Sequence, residues 1–146
     1  MIPLLAVLLL VAIATIGRRL AMPPMPMSAV ADAGCNLQQS TCGASLPDGA
    51  RMTLSILPHP IPLLKPLAVE VTTDAIAVTQ VEVEFTGAEM NMGSQRVLLK
   101  PVAPGRFGGE ATLPVCVTGR MEWQATVTFD SPQGKVAAPF RFFAPI

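Results

Sequence analysis

"VEVEF", residues 81–85, sets Val81, Val83 and Phe85 against Glu82 and Glu84, and this alternation decides the class of fold. Successive residues of a strand point to opposite faces, so the pattern gives one apolar side and one charged side. The same period recurs along the chain. Met52, Leu54 and Ile56 alternate with Thr53 and Ser55, and Leu67, Val69 and Val71 with Glu70 and Thr72. Phe107, Ala111 and Leu113 share a phase. Trp123, Ala125, Val127 and Phe129 alternate with Glu122, Gln124, Thr126 and Thr128, and Val136, Ala138, Phe140 and Phe142 close the series. A less regular run, "SQRVLLK" (94–100), supplies a seventh strand.

Turn signals separate these runs: "LPDG" (46–49), "APG" (103–105), "TG" (118–119) and "DSPQG" (130–134). Fifteen prolines and eleven glycines argue against long helices and for short elements joined by turns. The expected fold is all-β: a seven-stranded immunoglobulin-like sandwich over residues 46–146, preceded by an N-terminal hydrophobic helix. The Pro-broken segment "HPIPLLKP" (59–66) is expected to cross from one sheet to the other.

At 146 residues the chain has room for one domain with a core. Ten basic residues balance ten acidic ones without a basic cluster, so no electrostatic footprint for nucleic acid is present. "IPLLAVLLLVAIATIG" (2–17) carries no charge. It is long for a signal-peptide core and short for a span of roughly 20 residues. Residues 1–17 are read as a signal-anchor or transmembrane segment. Arg18 and Arg19 on its C-terminal side favour a cytoplasmic domain by the positive-inside tendency, while the cysteines speak for the opposite side. Residues 18–45 are read as a Pro/Met-rich tether containing a disulfide loop.

"CNLQQSTC" separates Cys35 from Cys42 by six residues. A disulfide in an oxidising compartment is favoured over free thiols or metal ligation by this pair. "ADAGC" has a superficial likeness to a lipidation site, but it lies far from the apolar run, and Asp32 fits that motif poorly. Together these features point to an inner-membrane-anchored or secreted protein with its domain in the periplasm.

Cys116 is left without a partner, and "GAEMNMGS" (87–94) places Met90 and Met92 in a turn-like stretch where a strand ends. Thiolate and thioether are soft donors suited to Cu(I), whereas zinc would want more Cys or His and calcium would want oxygens. Met90, Met92, Cys116 and Met121 are therefore the candidate metal ligands. The structural alternative stays open: Met121 as a filler beside Trp123, with Met90 and Met92 capping an apolar edge. Cys116 is out of phase with Phe107 and Leu113, so it is expected to point away from the main core face. "MPPMPM" (22–27) is a stiff apolar linker with a second reading as a weak copper-collecting arm. His59 is expected to be exposed in its Pro-rich loop. No catalytic constellation is recognisable. Cys116 with His59 lacks an orienting third group, so no enzymatic activity is expected.

The stretch "FTGAEMNMGSQRVLLKPVAPGRFGGEATLPVCVTGRMEW" resembles the core of small extracytoplasmic β-sandwich domains of the YtkA-like and FixH-like kind. The likeness covers about residues 85–127, under a third of the chain. Met90 and Met92 match the Met segment, Gly105 to Phe107 a Gly-x-aromatic strand, and Gly119 to Trp123 the turn into a Trp strand. Cys116, the longer Gly-to-Trp step through Arg120, Met121 and Glu122, and the lack of accompanying His residues depart from the pattern. The resemblance implies copper holding or delivery in oxidase assembly, by a membrane-tethered protein that meets a copper acceptor or another membrane protein. The alternative is a non-metal accessory domain that docks on a membrane complex.

Overall fold

The computed structural model describes residues 2–21, 25–75, 77–115 and 120–144. Helix α1 (Ile2–Ala21) runs on past Gly17 through both arginines and is about 30 Å long at 1.5 Å per residue. Its 19-residue stretch Pro3–Ala21 has a mean hydropathy of 2.1 and buries none of its surface in the protein, so it is long and apolar enough to cross a membrane.

Ten strands follow: β1 (Met27–Ser28), β2 (Val30–Ala31), β3 (Cys42–Ser45), β4 (Arg51–Leu57), β5 (Leu67–Thr73), β6 (Val81–Gly87), β7 (Ser94–Ala103), β8 (Arg106–Ala111), β9 (Met121–Ser131) and β10 (Gly134–Ala144). All seven periodic runs form strands, joined by three short ones. Hydrogen bonding continues through all ten in the order β1-β10-β9-β6-β7-β8-β5-β4-β3-β2, one mixed sheet rolled into a nearly closed barrel. The apolar phase points inward as the alternation requires: Val81, Val83, Phe85, Ala125, Val127, Ala138 and Phe140 are all buried. Fully burying such a side chain is worth roughly 1.5–3 kcal/mol, so a slip of one residue in register would be heavily penalised.

β7 is irregular for a physical reason. Its first half pairs with β6, and its second half pairs with β8 across a register shift between Pro101 and Ala103. It thus serves two neighbours in turn and has one fully buried residue, Leu99. β8 makes room for it at Gly109, where a Cβ would meet Leu99 Cδ2 at 2.8 Å and Val97 Cγ1 at 3.1 Å. The segment expected to cross between sheets does not do so. β4 and β5 pair directly in antiparallel register, so residues 58–66 are a loop within one side of the barrel.

The fold also starts earlier than residue 46. β1 runs parallel to β10, Ala29 donates to the Ala137 carbonyl at 2.9 Å, and β2 then pairs with β3. One extended segment, 27–31, thereby occupies both edges. Leu37, Cys42 and Ala44 are buried with the core. Cys35 and Cys42 are disulfide-bonded, with Cα atoms 5.7 Å apart. Nearby, Arg51 makes a bidentate pair with Asp32, at 2.9 Å and 2.6 Å, and donates to Ser45 Oγ at 2.8 Å. The pair lies across Gly43, where a Cβ would meet Arg51 Nη2 at 2.5 Å and Asp32 Oδ2 at 2.6 Å.

The hydrogen bonds from Arg51 hold the Asp32 carboxyl below the usual carboxylate range, and Asp32 in turn raises Arg51. A depressed carboxylate contributes stability above its unfolded pKa, near 3.9, and loses it as pH falls through the folded value. Asp32→Asn should therefore lower the melting temperature slightly at pH 7, and the gap to wild type should close below about pH 4. Gly43→Ala, which displaces the same pair, should not add fully to it. A gap that persists in strong acid, or full additivity in thermal melts, would contradict this role.

Candidate soft-metal site at one end of the barrel

Strand direction sorts the connections between two ends. At one end β6 finishes at Gly87, β9 starts at Met121, β10 finishes at Ala144, β4 finishes at Leu57 and β5 starts at Leu67. Loops 58–66 and 88–93 lie there, as do residues 112–115, which follow β8, and Arg120, which precedes β9. So does the 35–41 loop, whose Gln38 side chain donates to the Phe143 carbonyl and accepts from the Ile61 amide. The other end carries the tight turns, and there the chain enters at Met27, opposite Val136. The candidate ligands are far apart in sequence, and topology gathers the described ones at one end.

The methionine loop is fastened to the start of β9. Ala88 donates to the Glu122 carbonyl at 2.9 Å, and Gly87 is in register with Trp123. A side chain added at Gly87 would run into both the Met121 methyl and the Met90 carbonyl oxygen. The Met121 side chain and the Met90 backbone thus meet over the one residue that has no side chain to separate them. Asn91 Oδ1 accepts from the Gly93 amide at 3.1 Å, and Gly93 takes φ = 77°, which closes the loop tightly.

The methionines do not share one environment. Met121 is 4% exposed and points inward with Trp123; Met92 is half-buried against the core; Met90 is 43% exposed. Met90 and Met121 adjoin through the Gly87 contact, whereas Met92 packs on the core side. Cys116 lies outside the described residues, as does Met22. Met25 is exposed, and Met27 packs partly against the core in β1.

Two polar atoms at this end stand out. His59 Nδ1 and Trp123 Nε1 are buried, and neither has a hydrogen-bond partner among the described residues. His59 was expected to be exposed. Its loop is instead held down by Ile61 on Gln38 and by Leu64, whose amide donates to the Leu113 carbonyl at 2.9 Å. Nothing local in "HPIP" signals that Nδ1 is covered in a residue that is otherwise partly exposed, and the tie on its loop comes from Gln38, 23 positions before Ile61. A neutral imidazole nitrogen is also a metal donor, so His59 joins the residues at this end able to serve a soft cation. Among the described residues, no three of His, Cys, Asp and Glu gather to hold a metal. Arg120 covers the Phe143 ring, 4.2 Å from its centroid, and Arg141 reaches Glu122 at 4.0 Å.

Comparison with protein-family models, with curated proteins and with solved structures finds no match for the chain.

Gly87→Ala should separate the Met90 loop from Met121, because one of the atoms in the way is backbone and cannot swing aside. Overpacking of this kind typically costs about 1–3 kcal/mol. A lowered melting temperature with shifted methyl resonances for Met90, Met92 and Met121 is expected in 13C-methyl spectra. A silent substitution would mean that the two segments do not touch.

Proposed function

We propose that this chain is a membrane-tethered domain on the oxidising side of the inner membrane. It holds Cu(I) at the barrel end opposite its anchor and passes the ion to a membrane acceptor, such as an oxidase under assembly. The observation that carries the reading is the meeting of the Met90 loop with Met121 over Gly87. Thioethers are neutral soft donors that suit Cu(I), and the burial of Met121 with the half-burial of Met92 keeps water and harder cations away. Cys116 supplies the anionic sulfur in this proposal, and His59 Nδ1 is an additional donor at the same end. The Cys35–Cys42 bond favours an oxidising compartment, and α1 has the length of a span. The resemblance of residues 85–127 to YtkA-like and FixH-like domains, read from the sequence and matched by no family model, points the same way. On this reading the seven long strands make an immunoglobulin-like sandwich, with β7 and the 27–31 segment passing from one face to the other. No turnover is assigned to the chain.

Met90→Leu, Met92→Leu and Met121→Leu keep volume and apolarity, usually for under about 1.5 kcal/mol of stability. Each should weaken Cu(I) binding by about tenfold or more, a loss of about 1.4 kcal/mol, when titrated against a competing chelator. Cys116→Ser should weaken it most. Unchanged affinity in all four variants would overturn the copper reading.

A second reading rests on a different observation at the same end. Leu57, Leu64, Val115 and Phe143 are between 40% and 65% exposed at this end, and Phe143 lines a depression together with Arg120 and Arg141. Apolar side chains rimmed by cations suit an extracytoplasmic segment of a neighbouring membrane protein that presents apolar residues and a carboxylate. A photo-crosslinker at position 64 in native membranes should then capture a partner that Arg120→Glu releases. Capture that is insensitive to the charge reversal, or equal from position 30 at the other end, would count against docking.

A further inference from the structure

The opposite end of the barrel holds a cavity of about 380 Å³. Leu46, Phe129 and Val136, each at most 5% exposed, form its inner wall, with Met27 and Ala75 at its sides. Asp48 sits on the rim with its carboxylate already accepting from the Ala50 amide. The cavity exists because the closing seam is thin here: β1 and β2 each pair through two residues and bring few side chains to fill the corner. Its size is that of small-ligand pockets, roughly 300–1,000 Å³, which favour the mouths of barrels. Its other polar lining, Ser131 and Gln133, lies toward the surface, and the Ser131 hydroxyl donates to the Gly134 carbonyl at 2.8 Å, so the buried part of the wall is apolar and suits a hydrocarbon body with a polar end at the mouth.

The chain itself says where such a ligand comes from. α1 ends at Ala21 and Met27 lines the cavity, so six residue steps separate the helix from the pocket. Fully extended, that is at most about 20 Å. We propose that this mouth binds one acyl chain of a phospholipid from the membrane that holds α1, an inference that rests on the tether reading above. A chain drawn from the adjacent leaflet reaches the pocket without leaving the membrane surface, and Met27, a flexible thioether, adapts to it. A free fatty acid is the poorer occupant, because its carboxylate would meet Asp48 at the rim. A zwitterionic headgroup brings an ammonium there instead.

The test uses the full chain in vesicles of phosphatidylethanolamine and phosphatidylcholine. One arm carries a phospholipid with a diazirine near the end of its acyl chain; the other carries a diazirine fatty acid. After irradiation, adducts are mapped by mass spectrometry. The phospholipid should label peptides containing Met27, Leu46 or Phe129 as well as α1. Ala75→Leu, which fills the cavity, should remove the barrel adducts and leave those on α1, with melting checked to confirm its fold. Labelling of α1 without labelling of the barrel overturns the pocket and spares the anchor. Barrel adducts that come from the fatty acid alone, or survive Ala75→Leu, also overturn it. A barrel labelled without α1 keeps the lipid site and removes the tether.

Discussion

The architecture depends on the five-residue segment 27–31 that satisfies two sheet edges at once. Without it, β10 and β3 would each present unpaired amides and carbonyls, the arrangement that invites pairing with other chains. Two residues of parallel pairing with β10 and two of antiparallel pairing with β3 are a small seam for that task. The seam is reinforced immediately downstream. Asp32 donates its amide to the Gly43 carbonyl and its carboxylate is gripped by Arg51, and a few residues later Cys35 is bonded to Cys42. A cross-link closing so short a loop removes about 2–3 kcal/mol of freedom from the unfolded chain. Its greater structural effect is local, since it holds the loop from which Gln38 reaches Phe143 and Ile61.

The long strands were legible from sequence because their period is local and strong; every apolar set from Met52 to Phe142 faces inward as read. The closing strands were not legible, because β1 and β2 are two residues each and have no period to detect. "CGAS" is buried at three positions by its neighbours, not by any apolar character of its own. Edge pairing is a property of the partner strand, and no local pattern announces it. Residues 58–66 were misread for a related reason: Pro-rich composition marks a loop without saying which strands it joins. The methionine loop was visible as a motif, but its contact with Met121 exists only through the β6–β9 register. The same register makes Gly87 the contact point, a role that its place in "FTGAEM" does not reveal.

The seam also gives the barrel its polarity. Because 27–31 enters beside the 131–134 turn and descends, the chain arrives from α1 at one end, and the 88–93 methionine loop is left at the other. β9 and β10, at eleven residues each, separate the ends by roughly 35 Å at 3.3 Å per residue. A thin seam leaves a cavity at the end where the chain enters from α1. On the far side the 35–41 loop is tied to Phe143 and Ile61, and His59 Nδ1 is buried there without a partner among the described residues. Both features thus follow from how the barrel is closed, and neither is a property of the strands that make up most of it.

The same geometry sets what a metal at the far end could do. Met121 is part of the core as well as a neighbour of the Met90 loop, so its sulfur is held by Trp123 and the inner layer whether or not an ion is bound. A donor fixed in this way contributes preorganisation, and the ordering entropy of binding falls on the loop side. Met90 is 43% exposed, on a loop that Ala88 ties to the Glu122 carbonyl and that an Asx turn at Asn91 closes. On the proposed copper reading, a buried donor beside an exposed one lets a competing sulfur approach from the solvent side, without disturbing the core. Within that proposal, exchange falls to the exposed loop side and the barrel supplies the fixed donor.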